Sequence, residues 1–254
     1  MNIDRVIEIV KETDSIFFDD ALRHDVKEKG EADYVTRADI GISEYLSKRL
    51  SEEYPAIGFI SEEADTDIDE SRDYWILDPI DGTTNFMHGL SFCGVSLGLY
   101  SGGQLTAGII YIPYTGELFH AERGKGAYLN GERIYCSKNT ALRDCVGFYE
   151  FNAYFKNECD TAMEYARKIY TRCQDLRCLG STAVELAYVA CGRADVFFGR
   201  YLKPWDYAAA AVLIAEAGGR LDRVDGDFCI SQLNVNIAAA NSLVFDEFIA
   251  LVKE

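Results

Sequence analysis

Apolar residues in the first fifth of the chain recur every three or four positions, which is the spacing of one face of an amphipathic helix. Between residues 3 and 22 the apolar residues with this spacing include Ile3, Val6, Ile7, Val10 and Phe17. Between residues 39 and 54, Ile42, Leu46 and Leu50 share one face. The pattern therefore predicts one helix over 3–22 and a second over 39–54.

The middle of the chain has the shorter apolar runs of a sheet. Runs at 56–60 and 74–77 each end in acidic residues, and β-rich runs at 93–99 and 105–112 are joined by a Ser-Gly-Gly turn. Asn130-Gly131 lies between two further runs, and this dipeptide is typical of a tight hairpin. We expect a largely antiparallel sheet in the first half of the chain.

The second half alternates again between helical and strand patterns. The predicted helices cover residues 157–170, 181–191, 205–217 and 245–252, and short strands are predicted at 196–198 and 237–240. This alternation predicts a mixed α/β fold, in the α+β or α/β class. No internal repeat or linker divides the chain. We therefore expect one compact catalytic domain over 1–254, with a possible subdivision into 1–140 and 141–254.

Composition and charge narrow the function classes. The 254 residues are 48% hydrophobic and 26% charged, as in an ordinary globular protein, and the formal net charge is −17. Nucleic-acid binding needs a basic surface, so we expect no nucleic-acid partner. Neither a membrane span nor a signal peptide fits the sequence, and the eight cysteines contain no Cys-x-x-Cys pair. We expect a cytoplasmic protein with reduced, mostly buried thiols and no membrane partner.

The most informative segment is Asp78-Pro-Ile-Asp-Gly-Thr-Thr-Asn-Phe. A predicted strand runs directly into two carboxylates, Asp78 and Asp81, which are three residues apart. Carboxylates that converge on one point repel each other unless a cation lies between them, and Mg²⁺ prefers such oxygen ligands. The spacing differs from the Asp-x-Asp of haloacid-dehalogenase phosphatases, which argues for ligands rather than a nucleophile. The alternative is a simple turn with a helix cap.

Acidic residues also occur at two other places where functional sites are common, the end of a strand and the start of a helix. Gly58-Phe-Ile-Ser-Glu-Glu places Glu62 and Glu63 at the end of a predicted strand. Lys203-Pro-Trp-Asp-Tyr-Ala-Ala-Ala places Asp206 at the start of an otherwise apolar helix. Without any chemistry, Glu62 and Glu63 would simply be solvated acids at a strand end. Asp206 would then only stabilise its helix through a favourable interaction with the helix dipole.

Together these three segments resemble the inositol monophosphatase family. Weaker matches occur in family order over nearly the whole chain: Asp33-Tyr-Val-Thr-Arg-Ala-Asp39, Gly124-Lys-Gly-Ala-Tyr-Leu-Asn-Gly, Leu179-Gly-Ser-Thr-Ala and Glu216-Ala-Gly-Gly. The resemblance implies a Mg²⁺-dependent, lithium-sensitive phosphomonoesterase with a layered αβαβα sugar-phosphatase fold. It also implies a homodimer that acts on a small phosphate ester.

The resemblance further implies the site residues. Glu62, Asp78 and the Ile80 carbonyl would hold a first Mg²⁺ ion. Asp78, Asp81 and Asp206 would hold a second, and a weaker third ion would use Glu62 and water. Mn²⁺ would substitute for Mg²⁺.

The catalytic residues implied in the same way are Thr83, Asp39 and Glu62. Thr83 and Asp39 would orient the attacking water. The phosphate would rest on the N–H groups of Gly82 and Thr83, and it would leave by direct in-line attack with no phosphoenzyme.

Substrate choice follows from positions that differ among family members. Gly180, Ser181 and Thr182 match the helix start beside the sugar hydroxyls, and Asp81 and Asp206 would also face the substrate. An acid that inositol-type members often carry is replaced by Gly199. The nearby Arg200 and Lys203 instead resemble archaeal-type members that also cleave fructose 1,6-bisphosphate, although plain solvent exposure would explain both.

Several functions therefore stay open. Inositol 1-phosphate or a related sugar phosphate is the leading substrate, and fructose 1,6-bisphosphate, alone or as a second substrate, is the main alternative. Histidinol phosphate and 3′-phosphonucleotides are weaker alternatives. A metal-binding protein without activity is weaker still.

Two remaining features are expected to carry no chemistry. Asp65-x-Asp-x-Asp69 resembles the start of an EF-hand loop, but Glu70 stands where that loop needs glycine, so we predict a solvated acidic loop. His88 lies near the central motif, and we expect it on a helix surface.

Overall fold

The chain begins with three short helices rather than one long one. The computed structural model describes residues 1–30, 33–64 and 68–253. The three helices are α1 (Ile3–Lys11), α2 (Asp14–Phe17) and α3 (Asp20–His24). The buried Thr13 hydroxyl donates to the Val10 carbonyl at 2.6 Å, and the Asp19 carboxylate caps α3 by accepting from the Ala21 N–H at 2.8 Å. These local bonds compete with a continuous helix. The prediction of one helix over 3–22 is therefore wrong.

A short hairpin and a long helix follow. Strands β1 (Val26–Gly30) and β2 (Asp33–Thr36) pair antiparallel, and α4 covers Arg37–Glu53. The buried side chain of Thr36 caps α4 in a reciprocal bond with Asp39. The prediction of a helix over 39–54 is confirmed, with its start two residues earlier.

The first sheet has seven strands among the described residues. They are β3 (Gly58–Ser61), β4 (Tyr74–Asp81), β5 (Gly94–Ser101), β6 (Gln104–Ile112), β7 (Glu117–Glu122), β8 (Gly126–Leu129) and β9 (Glu132–Arg133), in that order. Only β3 and β4 pair parallel within this set, and every later pair is antiparallel. Helix α5 (Thr83–His88) directly follows β4. The predicted antiparallel sheet is confirmed.

The second sheet is mixed. Its strands are β10 (Val146–Glu150), β11 (Asp175–Arg177), β12 (Val196–Leu202), β13 (Gly219–Arg223) and β14 (Val235–Asn241), in the order β11-β10-β12-β14-β13. Strand β10 is parallel to both neighbours, whereas β14 is antiparallel to both of its own. The helices of this half are α6 (Cys159–Arg172), α7 (Thr182–Ala190), α8 (Pro204–Glu216) and α9 (Phe245–Lys253), close to their predicted bounds.

The elements stack in five layers. Successive residues of a strand point to opposite faces, so Trp75 and Leu77 of β4 pack toward α1 and α4, while Ile76 packs toward α7 and α8. Likewise Phe197 of β12 faces α7, while Phe198 faces α6 and α9. The predicted αβαβα arrangement is therefore confirmed, with α7 and α8 between the two sheets. Whether the chain is one domain or two halves stays a prediction.

Two further expectations concern the whole chain. None of the helices in the described part is long and apolar enough to cross a membrane. All eight cysteines carry free thiols. Four of them are buried, at positions 93, 136, 145 and 173, whereas Cys159 and Cys178 are exposed.

Two paired glycines let α8 approach the first sheet closely. Gly98 of β5 lies opposite Gly108 of β6 in the register of the sheet. A Cβ atom at Gly98 would lie 2.9 Å from the Cβ of Ala208, and one at Gly108 would lie 2.1 Å from the Ala209 carbonyl oxygen. Side chains at these positions would push α8 away from the sheet. The glycine pair thereby sets how closely α8, which begins at Pro204, packs against the first sheet.

Gly108→Ala should therefore destabilise the protein by at least about 1–3 kcal/mol, the usual cost of overpacking a core. The expected clash is with backbone, which cannot rotate away. The free energy of unfolding, measured by urea denaturation, checks this. Gly41→Ala is the matched control, since its Cβ would meet only the Ile16 side chain at 3.2 Å and alanine favours the α4 helix. An equal loss in both variants would contradict the close approach of α8.

Candidate active site

Three aspartates converge where β4 ends and α8 begins. Asp78 and Asp81 come from the fully buried strand β4, and Asp206 comes from the first turn of α8. One carboxylate oxygen of each lies within 4.8 Å of the others. We call these three residues the aspartate trio. The structure thus brings together three of the predicted metal ligands.

The end of β4 is irregular, and this irregularity turns both carboxylates to one side. The pairing of β4 with β5 shifts register between Asp78 and Asp81. Pro79 lies in this interval and has no N–H to donate to a neighbouring strand. Gly82 then adopts φ +87°, a left-handed conformation that favours glycine, and α5 begins at the next residue. The chain therefore turns sharply directly after the two carboxylates.

Main-chain groups hold two of the trio. One oxygen of Asp78 accepts from the Ile80 N–H at 3.1 Å. One oxygen of Asp206 accepts from the Lys203 N–H at 2.8 Å, which caps α8. Each carboxylate therefore has a fixed orientation and a second oxygen for another partner.

Asp81 is held by the start of α7. Its Oδ2 accepts from the Ala183 N–H at 2.7 Å and from the Ser181 hydroxyl. The loop before α7 is fixed in turn by Asn85 of α5, whose amide donates to the Leu179 carbonyl at 2.6 Å. The central motif and the start of α7 therefore form one hydrogen-bonded unit.

Burial and mutual repulsion raise the pKa values of the trio. Burial raises the pKa of Asp81 to about 6. For Asp78, burial and the neighbouring carboxylates of Glu62 and Asp81 raise the pKa well above its usual range, and burial and Asp81 do the same for Asp206. The raised pKa values mean that ionising these carboxylates is costly. Bound divalent cations would reverse this cost, because they favour the charged carboxylates. The trio has the electrostatics of a metal centre.

Thr83 and Asp39 lie beside the trio as a contacting pair. The Thr83 hydroxyl is 3.3 Å from one oxygen of the buried Asp39 and 3.1 Å from the Ile80 carbonyl oxygen. The other Asp39 oxygen accepts from the Thr36 N–H at 2.8 Å. Burial raises the pKa of Asp39 to about 6, against the opposing effect of the Thr36 hydrogen bonds. The family resemblance implies that these two residues act as a pair, and the structure brings them into contact.

Glu62 and Glu63 follow β3, where the structure adds a residue that the sequence analysis missed. The Lys29 ammonium lies 3.7 Å from Glu62 Oε1 and 3.0 Å from Glu63 Oε1. Burial raises the pKa of Glu62 to about 7, and the charge of Lys29 opposes this. Lys29 lies in a charged run with no apolar periodicity, so the sequence offered no signal for it.

A cleft opens over the trio. The described residues that line it include the predicted Glu62, Asp78, Ile80, Asp81, Gly82, Thr83, Gly180, Ser181, Thr182, Lys203 and Asp206, together with Tyr34, Thr84, Glu150, Phe151, Asn152, Ala153, Tyr154, Tyr201, Leu202 and Trp205. Apart from Tyr201, which lies between the predicted Arg200 and Lys203 in the segment that could hold a second phosphate, the second group was missed. Glu150 had the same signal as Glu62 and Asp78, an acid at the end of an apolar run.

Arg200 is placed differently from the other predicted residues. Its Nη2 lies 2.6 Å from Glu158 Oε2, and Arg200 is not among the described residues that line the cleft. Lys203 does line the cleft, with its ammonium 5.4 Å from the ring centre of Trp205. His88 is exposed at the end of α5, as predicted. The predicted acidic loop at Asp65–Asp69 lies partly outside the described residues, which do not include 65–67.

Comparison with known proteins identifies the family. A model of the inositol monophosphatase family matches residues 2–254. The chain belongs to the inositol monophosphatase family. Members of this family are metal-dependent. As a member of the family, the chain is a phosphatase, an enzyme of the hydrolase class.

Relatives of this family member are similar over most of their length. An inositol-1-monophosphatase of Mesorhizobium japonicum is 36% identical over 89% of this chain and 85% of the relative. A fructose-1,6-bisphosphatase/inositol-1-monophosphatase of Thermotoga maritima is 34% identical over 90% and 86%. The crystal structure of extragenic suppressor protein suhB from Bartonella henselae superposes with a TM-score of 0.90 at 35% identity, covering 99% of this chain and 98% of that one.

The raised pKa values of the site predict how stability depends on pH in the absence of metal. Asp39, Asp81 and Glu62 hold protons in the folded state up to about pH 6–7, but release them near their usual values when unfolded. The folded state thus binds more protons in this interval, so the free energy of unfolding should fall as pH rises, by up to about 1.4 kcal/mol per pH unit for each carboxyl.

Urea denaturation in a chelator between about pH 5 and pH 8 measures this slope. Added Mg²⁺ should make the slope shallower, because the cation stabilises the charged carboxylates. Asp206→Asn removes one repelling charge, so it should raise the metal-free stability near neutral pH. Metal-free stability that increases with pH would contradict the repulsion described here.

Proposed function

We propose that the protein is a Mg²⁺-dependent phosphomonoesterase that hydrolyses inositol 1-phosphate or a related sugar phosphate. The observation that carries this proposal is the aspartate trio with the Thr83–Asp39 pair beside it. The arrangement suits direct in-line attack of water on phosphorus. The carboxylates of the trio already accept hydrogen bonds from main-chain N–H groups. We therefore assign them to metal binding rather than to attack on phosphorus, and we propose no phosphoenzyme.

The donor set of the trio fits Mg²⁺. All three residues supply hard carboxylate oxygens, and octahedral Mg²⁺ at about 2.1 Å from each ligand places neighbouring oxygens about 3.0 Å apart and opposite oxygens about 4.2 Å apart. Ile80 offers its carbonyl from the same turn. Glu62 would join after release from Lys29, which gives the proposed set for two or three ions, with Mn²⁺ as a substitute. Bound Mg²⁺ supplies a water of lowered pKa and stabilises charge on the leaving oxygen.

Thr83 and Asp39 orient the nucleophilic water in this proposal. Asp39 is fixed by Thr36 through its other oxygen, so its free oxygen has a defined direction. When the Thr83 hydroxyl donates its hydrogen bond to Asp39, the Thr83 oxygen is free to accept a hydrogen bond from water. Water held in this way keeps a lone pair directed at the phosphorus atom.

The walls of the cleft bind the two ends of the substrate. Main-chain N–H groups of Gly82 and Thr83 face the phosphate at the beginning of α5, where backbone donors stabilise developing negative charge. Gly180, Ser181 and Thr182 also line the cleft and would contact sugar hydroxyls. Asp81 and Asp206 line the same cleft and would face the substrate. Lithium sensitivity, a homodimer, a single catalytic domain and a cytoplasmic location are further expectations from the family resemblance.

The first experiment is phosphate release from inositol 1-phosphate with Mg²⁺, using Thr83→Val and Thr83→Ser as a matched pair. Valine keeps the shape but removes the hydroxyl, so kcat should fall by about 10²-fold or more. Serine keeps the hydroxyl and should restore most of the rate. The Mg²⁺ concentration for half-maximal activity should change little in either variant.

Two results would reject the proposal. One is no release from inositol 1-phosphate, fructose 1,6-bisphosphate or histidinol phosphate by the unaltered protein with Mg²⁺ or Mn²⁺. The other is full activity in the presence of a chelator.

A second candidate substrate is fructose 1,6-bisphosphate. The favouring observation is Lys203, a cation that lines the cleft beyond the trio and is placed to meet a second phosphate. Arg200 would add to this site only after leaving Glu158, which lies 2.6 Å away. Gly199 stands where inositol-type members often carry an acid, so this position adds no charge that repels a second phosphate.

Lys203→Met should raise KM for fructose 1,6-bisphosphate by about tenfold or more, the loss of one charge-assisted bond. It should leave KM for inositol 1-phosphate nearly unchanged. Glu158→Gln tests Arg200 separately, because it releases the guanidinium and should lower KM for the bisphosphate if Arg200 contributes. Equal effects of Lys203→Met on both substrates would reject a second phosphate site.

A further inference from the structure

A second group of potential ligand atoms lies beside the cleft, apart from the aspartate trio, and one of its members, Glu150, also lines the cleft. Glu150 ends β10, Cys178 follows β11, and Glu185 lies in the first turn of α7. One ligand atom of each lies within 4.8 Å of the others. We call these residues the Glu–Cys–Glu cluster. Three separate elements of the second half meet at this point.

Two oxygens in this cluster lack the partners that buried polar atoms normally have. Glu185 is completely buried, and its Oε1 accepts from the Leu179 N–H. Its Oε2 has no hydrogen-bond partner in the described part of the chain. Glu150 Oε2 is equally inaccessible and equally unpartnered there. An unsatisfied buried carboxylate oxygen is costly, so two in contact range indicate a partner that protein atoms do not supply.

The charges around the cluster repel rather than compensate each other. Burial and the carboxylate of Glu185 raise the pKa of Glu150 well above its usual range, and Asp81 and Asp206 add to this. Burial raises the pKa of Glu185 to about 8. Desolvation also raises the pKa of the Cys178 thiol to about 12, although the residue as a whole is exposed. A cation would favour the charged form of all three groups at once.

We propose that Glu150, Cys178 and Glu185 form a binding site for a divalent cation of the Zn²⁺ class, separate from the catalytic metal site. A thiolate with two carboxylates suits a borderline-soft ion and does not suit Mg²⁺, which prefers oxygen ligands alone. Three protein ligands leave one position of a tetrahedral ion for water. The exposure of Cys178 provides the path by which the ion enters.

Binding at this cluster would stiffen the loop that supports the active site. Cys178 and Glu185 flank the segment that contains Gly180 and Ser181, and Ser181 donates to Asp81 of the trio. An ion that joins the two ends of this segment to β10 would fix the position of the α7 start. The ligands must lose protons as they bind, so the affinity should increase with pH.

Co²⁺ is the probe for the test, because it replaces Zn²⁺ and gives a strong charge-transfer absorption only with a thiolate ligand. The protein is titrated with Co²⁺ in the presence of saturating Mg²⁺, which occupies the trio. We expect one equivalent of the thiolate band, and we expect stoichiometric Zn²⁺ to remove it. In Cys178→Ser the band should disappear. Cys159→Ser, which changes an exposed cysteine outside the cluster, should retain it.

Two more variants separate this site from the catalytic one. Glu185→Gln should weaken Co²⁺ binding at least about tenfold, as expected for loss of a ligand. Asp206→Asn, which alters the trio but removes no proposed Co²⁺ ligand, should keep one equivalent of the band. No band in the unaltered protein, a band that persists in Cys178→Ser, or a band lost in Asp206→Asn would each overturn the proposal. Circular dichroism of every variant confirms folding before titration.

Discussion

The repulsion among buried carboxylates is the constraint on which this structure depends. One carboxylate oxygen each of Asp78, Asp81 and Asp206 lies within 4.8 Å of the others, and Asp78 and Asp81 are buried while Asp206 is half-buried. A chain cannot hold such a group without compensation, because the charged form of each acid is disfavoured by burial and by its neighbours. The fold supplies part of that compensation, and metal ions supply the rest in the proposed enzyme.

The helices between the two sheets provide the protein's part of this compensation for carboxylate repulsion. Asp81 accepts hydrogen bonds from the start of α7, and Asp206 accepts one from the start of α8. The beginnings of helices present unpaired N–H groups and a partial positive charge, which favour carboxylates. Gly98 and Gly108 allow α8 to lie close enough to β4 for Asp206 to meet the strand acids. Packing and electrostatics thus serve the same site.

The sequence predicted most of this fold and much of the site, and its failures have identifiable causes. Periodicity predicted the mixture of helices and strands, and the acids at the end of a strand and at the start of a helix pointed to the trio. The αβαβα layering and the set of metal ligands came from the family resemblance. The helix over 3–22 was wrong because Thr13 and Asp19 form local hydrogen bonds that apolar spacing does not reveal. Lys29 was missed because its position near Glu62 depends on how a hairpin folds over β3. Such contacts between distant segments leave no trace in a single sequence.

The position of α8 in the middle layer also bears on the order of synthesis. The groove formed by Gly98 and Gly108 leaves the ribosome long before the helix that fills it, since α8 begins only at Pro204. During that interval the face of the first sheet that α8 covers in the folded protein lacks this cover. A sheet that formed early would therefore expose apolar surface until the last quarter of the chain is made.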